Sequence, residues 1–366
     1  MAIFASLSKA GTPAMSRLAR ACAVSGLLVS SLLAATGARA DTDPLLGLIP
    51  KASAQKPFKI GVAVVHLNDD FYKGIVYGIT DEAKRSNVQV VQVSVAGAYG
   101  NVQEQFAQLN AFKTLGVNLP VLAPAAYNGF DPVIRSLKDA GMKVASVGIP
   151  VNSKNVDFGV LQDDRSIGTA LADAVCKSGS GQKTVAMVAG PAGAEWVRLR
   201  YTGFMDEAAK CPTIKTIPAS FGGGLDIGEG MSRASDLLLR DGSINFIYTP
   251  VISLGMGAAQ AIRQQNRKAQ VVSSSIVPEA IPMIKDGRIL AVVSEPGIIM
   301  GRMIVQYAIR AMEGKPLPNL QPPSPNGLGY PHYDVPPTLV TAKNVASHPL
   351  NVYEIPPASW TMPARQ

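Results

Sequence analysis

The chain has 366 residues, 47% of them hydrophobic and only 16% charged, which is ample apolar material for two packed domains and excludes a disordered body. Its formal charge of +8 is not gathered into a basic stripe with interleaved aromatics, so nucleic acid is not an expected partner. The three histidines, His66, His332 and His348, are too dispersed for a zinc site, and no metal or other cofactor is expected.

In chain order, Lys9, Arg17 and Arg20 precede an apolar run over 21–35, and Ala38-Arg39-Ala40 offers the small residues of a cleavage site. This predicts a secretory signal peptide over 1–40, cut after Ala40, and a periplasmic chain. A retained membrane anchor is the competing reading, and the apolar core is short for a span. The leader carries four bases and no acid, so its removal halves the formal charge. Residues 41–56 read as a polar, flexible lead-in.

From Phe58 onward one unit repeats: a β-branched strand, a turn of small or acidic residues, then an amphipathic helix. The expected order is strand 58–65, helix 73–86, strand 88–95, helix 101–115, strand 119–123, helix 131–140 and strand 143–148. A second series follows from near Leu161: helix 165–177, strand 183–189, helix 195–210, strand 213–219, helix 226–240, strand 244–248, helix 254–265, strand 270–274, helix 278–286 and strand 289–294. A helix over 297–312, a Pro-rich connection and one strand over 334–341 complete the pattern, with a Pro-rich end over the surface.

Such alternation predicts right-handed crossovers and parallel sheets. The expected fold is α/β, two doubly wound parallel-sheet lobes joined by a hinge. Residues 57–161 plus 296–335 would form the N-terminal lobe, and 162–295 plus 336–366 the C-terminal lobe and tail. In these sheets ligands sit beyond the carboxyl ends of the strands, so the loops there carry the functional candidates.

Cys22 leaves with the leader. Cys176 and Cys211 each end a predicted helix flanking strand 183–189, and a disulfide between them is expected in an oxidising compartment; two buried thiols are the alternative. The acidic pairs Asp69-Asp70 and Asp163-Asp164 fall in loops after strands or at a lobe crossing, and Glu295 follows a strand directly. As binding groups they would accept from an amine or hydroxyl; as helix caps they would only be solvated. No nucleophile, metal or activated base accompanies them, so catalysis is not expected. Phe71, Tyr72, Tyr127, Trp196 and Tyr248 stand near strand ends, where rings wall pockets as well as cores. Gly190 to Gly193 suits either a tight turn or an anion site at a helix start. Ser273 to Ser275 place hydroxyls at a strand end.

The same loops carry a family resemblance. Asn68 to Tyr72 resembles the first ligand loop of the type 1 periplasmic binding proteins, the ribose- and galactose-binding relatives, and Arg200-Tyr201-Thr202-Gly203-Phe204 resembles their Arg-x-x-Gly-Phe helix. The resemblance implies a solute held in the interlobe cleft, with Arg200 reaching it. Where sugar binders carry Asp-Arg after the fourth strand, Gly148-Ile149 stands here; Thr249-Pro250, Ser275 and Glu295 replace their Asn-Asp, Asp and Gln. An ordinary aldopyranose is therefore not expected. Phe71 to Gly78, Ala96 to Tyr99, Ala189 to Pro191, Asp286 to Arg288 and Pro337 to Asn344 resemble the TorT branch, which senses trimethylamine N-oxide for a membrane sensor kinase. Its ring positions fall on Tyr72, Gln162 and Ser275. The expected ligand is a more polar small molecule met by Asp69, Phe71, Tyr72, Gln162, Asp163, Arg200, Ser275 and Glu295. The resemblance implies presentation to a sensor kinase, with an ABC permease as the alternative partner.

Overall fold

Strand and helix alternate as the sequence predicts, and they divide between two sheets that the chain visits in turn. The structure, a computed structural model, describes residues 49–325 and 327–362. The expected signal peptide, its cut site, Cys22 and the start of the lead-in lie outside the described residues.

The first sheet is built by β1 (Lys59–Val64), β2 (Gln89–Val95), β3 (Leu119–Leu122), β4 (Ala145–Gly148) and β5 (Phe158–Gln162), linked through α1 (Asp70–Arg85), α2 (Val102–Thr114) and α3 (Asp131–Asp139). The second takes β6 (Lys183–Met187), β7 (Ile214–Ile217), β8 (Phe246–Tyr248), β9 (Gln270–Ser274) and β10 (Ile289–Ser294), with α4 (Asp164–Cys176), α5 (Glu195–Ala208), α6 (Ile227–Arg240), α7 (Ile252–Gln264) and α8 (Ile281–Lys285). Helix α9 (Gly297–Met312) returns to the first sheet; β11 (His332–Val335), β12 (Thr338–Thr341) and α10 (Leu350–Tyr353) follow.

The strand orders are β11-β5-β4-β3-β1-β2 and β12-β10-β9-β8-β6-β7. Every pairing is parallel except that of β10 with β12. Most strand residues are buried, as expected of sheets covered on both faces. This is the two-lobed parallel α/β fold the sequence predicts.

Three differences matter. Phe158–Gln162 had no strand in the expected order, yet it forms β5 and carries the first sheet up to the crossing. The strand expected over 334–341 is two strands in two sheets, because Pro336 and Pro337 lack the N–H groups a continuous ladder needs. The helix expected over 278–286 opens as a 3-10 turn at Pro278–Ala280 before α8.

Among the described residues the chain therefore passes between the sheets at three places: after β5, after β10 and after β11. The tail, expected with the second lobe, touches both cores. Leu350 packs on the second, whereas Val352, Tyr353 and Trp360 pack on the first.

Two helix pairs hold the crossings in place by unusually close contact. A Cβ on Gly78 of α1 would lie 2.1 Å from the Ile298 carbonyl oxygen of α9, and one on Gly168 of α4 would lie 1.9 Å from that of Arg200 in α5. Only glycine permits such backbone approach. Cys176 and Cys211, at the far ends of that second pair, form a disulfide with Cα atoms 6.1 Å apart. No helix among the described residues is long and apolar enough to cross a membrane.

Candidate functional site

The carboxyl ends of both sheets converge on a cavity of about 440 Å³. Loops after β1, β2, β8 and β9 wall it, and the crossings after β5 and β10 form its floor. Asp69, Phe71, Tyr72, Gln162, Arg200, Ser275 and Glu295 all line it. Asp163 does not. Its side chain caps α4, accepting from the Ser166 amide at 2.9 Å and from the Ser166 hydroxyl. The pair Asp163-Asp164 is divided between roles, and the neighbouring carboxylate, Asp164, is the one turned toward Arg200.

Arg200 is the centre of the charged floor. Its side chain is only 2% exposed, an extreme for arginine, and it is matched by an unusually complete set of partners. Nε donates to Asp164 Oδ1 at 2.8 Å; Nη1 donates to Glu295 Oε1 at 2.7 Å, to the Pro250 carbonyl at 2.9 Å and to Ser274 Oγ. The guanidinium lies over the Trp196 ring, 4.7 Å from its centroid. None of these bonds uses Nη2, and the residue still reaches the cavity. Ser275 donates to the same Glu295 oxygen at 2.8 Å from a left-handed backbone, φ 66°, which a serine adopts only at some cost.

One guanidinium between two carboxylates leaves a surplus negative charge away from water. Burial accordingly pushes the Asp164 carboxyl up to about 7, against the opposing pull of Arg200. The same two carboxylates hold the Arg200 guanidinium above its ordinary value, despite its own burial. Gln162 donates Nε2 to Asp164 Oδ1 at 3.2 Å, while its Oε1 and Asp164 Oδ2 have no partner within the protein.

The wall from the first lobe is aromatic. Asp69 caps α1 by accepting from the Tyr72 amide at 3.0 Å, which fixes where Phe71 and Tyr72 emerge. The Tyr72 and Tyr99 hydroxyls are hydrogen-bonded at 2.8 Å, and His66 meets both rings edge-on at 4.9 and 5.6 Å. Burial raises both phenols above their ordinary range. Loss of solvation within the cleft raises the Asp69 carboxyl, and His66 works in the opposite direction. Tyr99 and Trp196 face one another across the cleft with centroids 6.3 Å apart.

Several cavity residues were not singled out as ligand residues: His66, Tyr99 and Glu354. Tyr99 follows β2 and was legible as another ring at a strand end. Glu354 gave no signal, since it arrives from the tail. There it accepts from Ser294, the last residue of β10, and lies 3.0 Å from His348 Nε2. Burial raises its carboxyl, with His348 acting against the shift. Tyr127 walls a neighbouring cavity of about 360 Å³ together with Gly193. Tyr248 is fully buried against Phe204.

Residues 60–316 match the model of the periplasmic binding protein domain. A crystal structure of a sugar ABC transport system substrate-binding protein from Bordetella parapertussis 12822 is 54% identical and covers 87% of this chain and 99% of its own, with a TM-score of 0.83. The ribose import binding protein RbsB of Bacillus subtilis is 24% identical over 295 residues, 80% of this chain and 94% of that protein. The periplasmic protein TorT of Escherichia coli is 23% identical over 285 residues, 74% of this chain and 78% of that protein.

Proposed function

Because the chain belongs to the periplasmic binding protein domain family, we propose that it is the solute-binding component of an ABC importer, taking a small sugar-type solute between its lobes and delivering it to a membrane permease. The observation that carries this reading is the Arg200 network. A guanidinium, two carboxylates and unpartnered acceptors stand at the crossings between two lobes, facing one cavity of about 440 Å³, a volume suited to a small polar molecule. Such an arrangement binds and orients a polar solute. The match to the Bordetella sugar transport protein supports the importer.

The sensor-kinase reading suggested by the TorT-like motifs has weaker support. The likeness to TorT is 23% identity, no greater than the likeness to a ribose importer's binding protein. A periplasmic location accords with the family, and cutting after Ala40 remains part of the proposal. So do the lobe bounds 57–161 plus 296–335 and 162–295 plus 336–366, and the contact of Asp69, Phe71, Tyr72, Gln162, Arg200, Ser275 and Glu295 with ligand. Closure follows from a ligand that contacts both lobes, since it prefers the closed state by the contacts that exist only there.

Deleting the gene in the native host tests the partner. An importer component leaves the strain unable to take up one of a panel of labelled sugars and polyols, and restoring the gene restores uptake. Unchanged uptake across the panel, with a lost transcriptional response to one member, would instead establish the sensor role.

A further inference from the structure

Beyond the Arg200 network, the cavity is short of positive charge. Asp69 enters it from the first lobe, Glu295 from the crossing after β10 and Glu354 from the tail. These carboxylates act on one another, for Glu295 is among the groups that push up both Asp69 and Glu354. The nearby cations are already engaged. Arg200 is shared between Glu295 and Asp164, and Lys73 faces Asp70 at 3.5 Å. His66 stands 3.7 Å from Asp69 and His348 3.0 Å from Glu354, and each is a cation only when protonated.

A second observation is independent of the acid surplus. Gln162 is 6% exposed and lines the cavity, its amide nitrogen turned to Asp164 and its Oε1 left without a partner. A buried acceptor without a donor costs free energy that a donating ligand would recover. Around it Phe71, Tyr72, Tyr99 and Trp196 supply ring surfaces, which attract cations and pack on carbon skeletons alike.

We propose that the ligand is a polyhydroxylated amine, bound as its ammonium form, with the charge between Asp69 and Glu295 and the hydroxyls meeting Arg200, Gln162 and Ser275. This inference rests on the binding-protein reading and narrows its ligand class. The ammonium answers carboxylates approaching from the first lobe and from the crossing, so the charge itself favours closure.

The test is isothermal titration of the purified protein in phosphate buffer at pH 7 with matched pairs that differ by one amino group: D-glucosamine against D-glucose, D-galactosamine against D-galactose, and tris(hydroxymethyl)aminomethane against pentaerythritol. At least one amine should bind about tenfold or more tighter than its neutral partner, the scale of one partly screened ion pair. Asp69→Asn keeps a residue that caps α1, so the fold should persist while the amine-to-neutral ratio falls several-fold. Neutral members binding as tightly as their amines would overturn the inference and leave the binding-protein reading standing. An amine preference unchanged in Asp69→Asn would overturn the placement of the charge. No binding by any member would overturn both.

Discussion

On the side of the first lobe the cavity meets mainly rings, set beside Asp69; on the side of the second lobe and the crossings it meets mainly charge, set beside Trp196. Phe71, Tyr72, Tyr99 and His66 lie edge to face, held by one phenol–phenol bond and by the cap of α1. Asp164, Arg200, Ser274, Ser275 and Glu295 form a buried charged network instead. Ring contacts add area and dispersion, and they tolerate loss in small steps. A buried ion network is all or nothing, because removing one member strands the others away from water. The two walls should therefore differ sharply in what a single substitution costs.

The largest expected effect is at the centre of the charged wall. Arg200→Ala leaves Asp164 and Glu295 without their shared cation, at about 3–5 kcal/mol in stability. It should also abolish any ligand-induced rise in melting temperature. Denaturant titration read against the unchanged protein checks it. A cost within about 1 kcal/mol would put Arg200 on the same footing as an exposed ion pair and erase the contrast.

The disulfide tests the same wall from behind. Cys176 and Cys211 clamp the far ends of α4 and α5, the helices that carry Asp164 and Arg200, across a separation of 35 residues. Closing a loop of that length is worth about 2–4 kcal/mol. Cys176→Ser with Cys211→Ser should lower stability by that amount and speed amide exchange in α4 and α5, with α1 and α9 little affected. Equal loosening of both helix pairs would mean the lobes do not open independently.

A pH titration separates the walls without mutation. The Asp164 carboxyl is raised to about 7 by burial, so the folded state holds a proton that the unfolded chain releases near its ordinary 3.8. A group raised in this way stabilises fully below the unfolded value and loses that contribution as pH climbs through the folded one. Stability should fall by at most about 1.4 kcal/mol per pH unit between roughly pH 4 and 7. Asp164→Asn should flatten that segment of the profile. A slope that survives the substitution would assign the proton to another carboxyl, with Asp69 and Glu354 next in line.

Much of this division was legible in the sequence, for physical reasons. Hydrophobic period and turn residues mark each βα unit locally, which is why α9 matches its expected bounds over 297–312. The first-lobe loop was readable because Asn68 to Tyr72 is contiguous, so the cap and the rings arrive together. Arg200 was found through its helix motif. Its pairing was not: Glu295, the Asp163-Asp164 pair and Ser273 to Ser275 were each noticed separately, but Asp164, Ser274 and Glu295 are 36, 74 and 95 residues away and meet Arg200 only in the fold. Asp163 was taken for the functional carboxylate because adjacent acids look alike until one is seen to cap a helix. Glu354 was invisible for the same reason of distance: a tail residue gains a place at the cavity only by folding back on Ser294.

The smallest expected effect tests the aromatic wall on its own terms. Tyr99→Phe removes the 2.8 Å bond to Tyr72 and leaves the fully buried Tyr72 with an unanswered hydroxyl. The cost should be about 1 kcal/mol, read as a small drop in the denaturation midpoint. Adding Tyr72→Phe removes the stranded hydroxyl as well, so the double variant should be no less stable than the single one. Ligand affinity should change less than about threefold in both, because the rings and their area remain. A tenfold loss in the double variant would show that the hydroxyls touch ligand directly, and the first-lobe wall would then share the chemistry of the second.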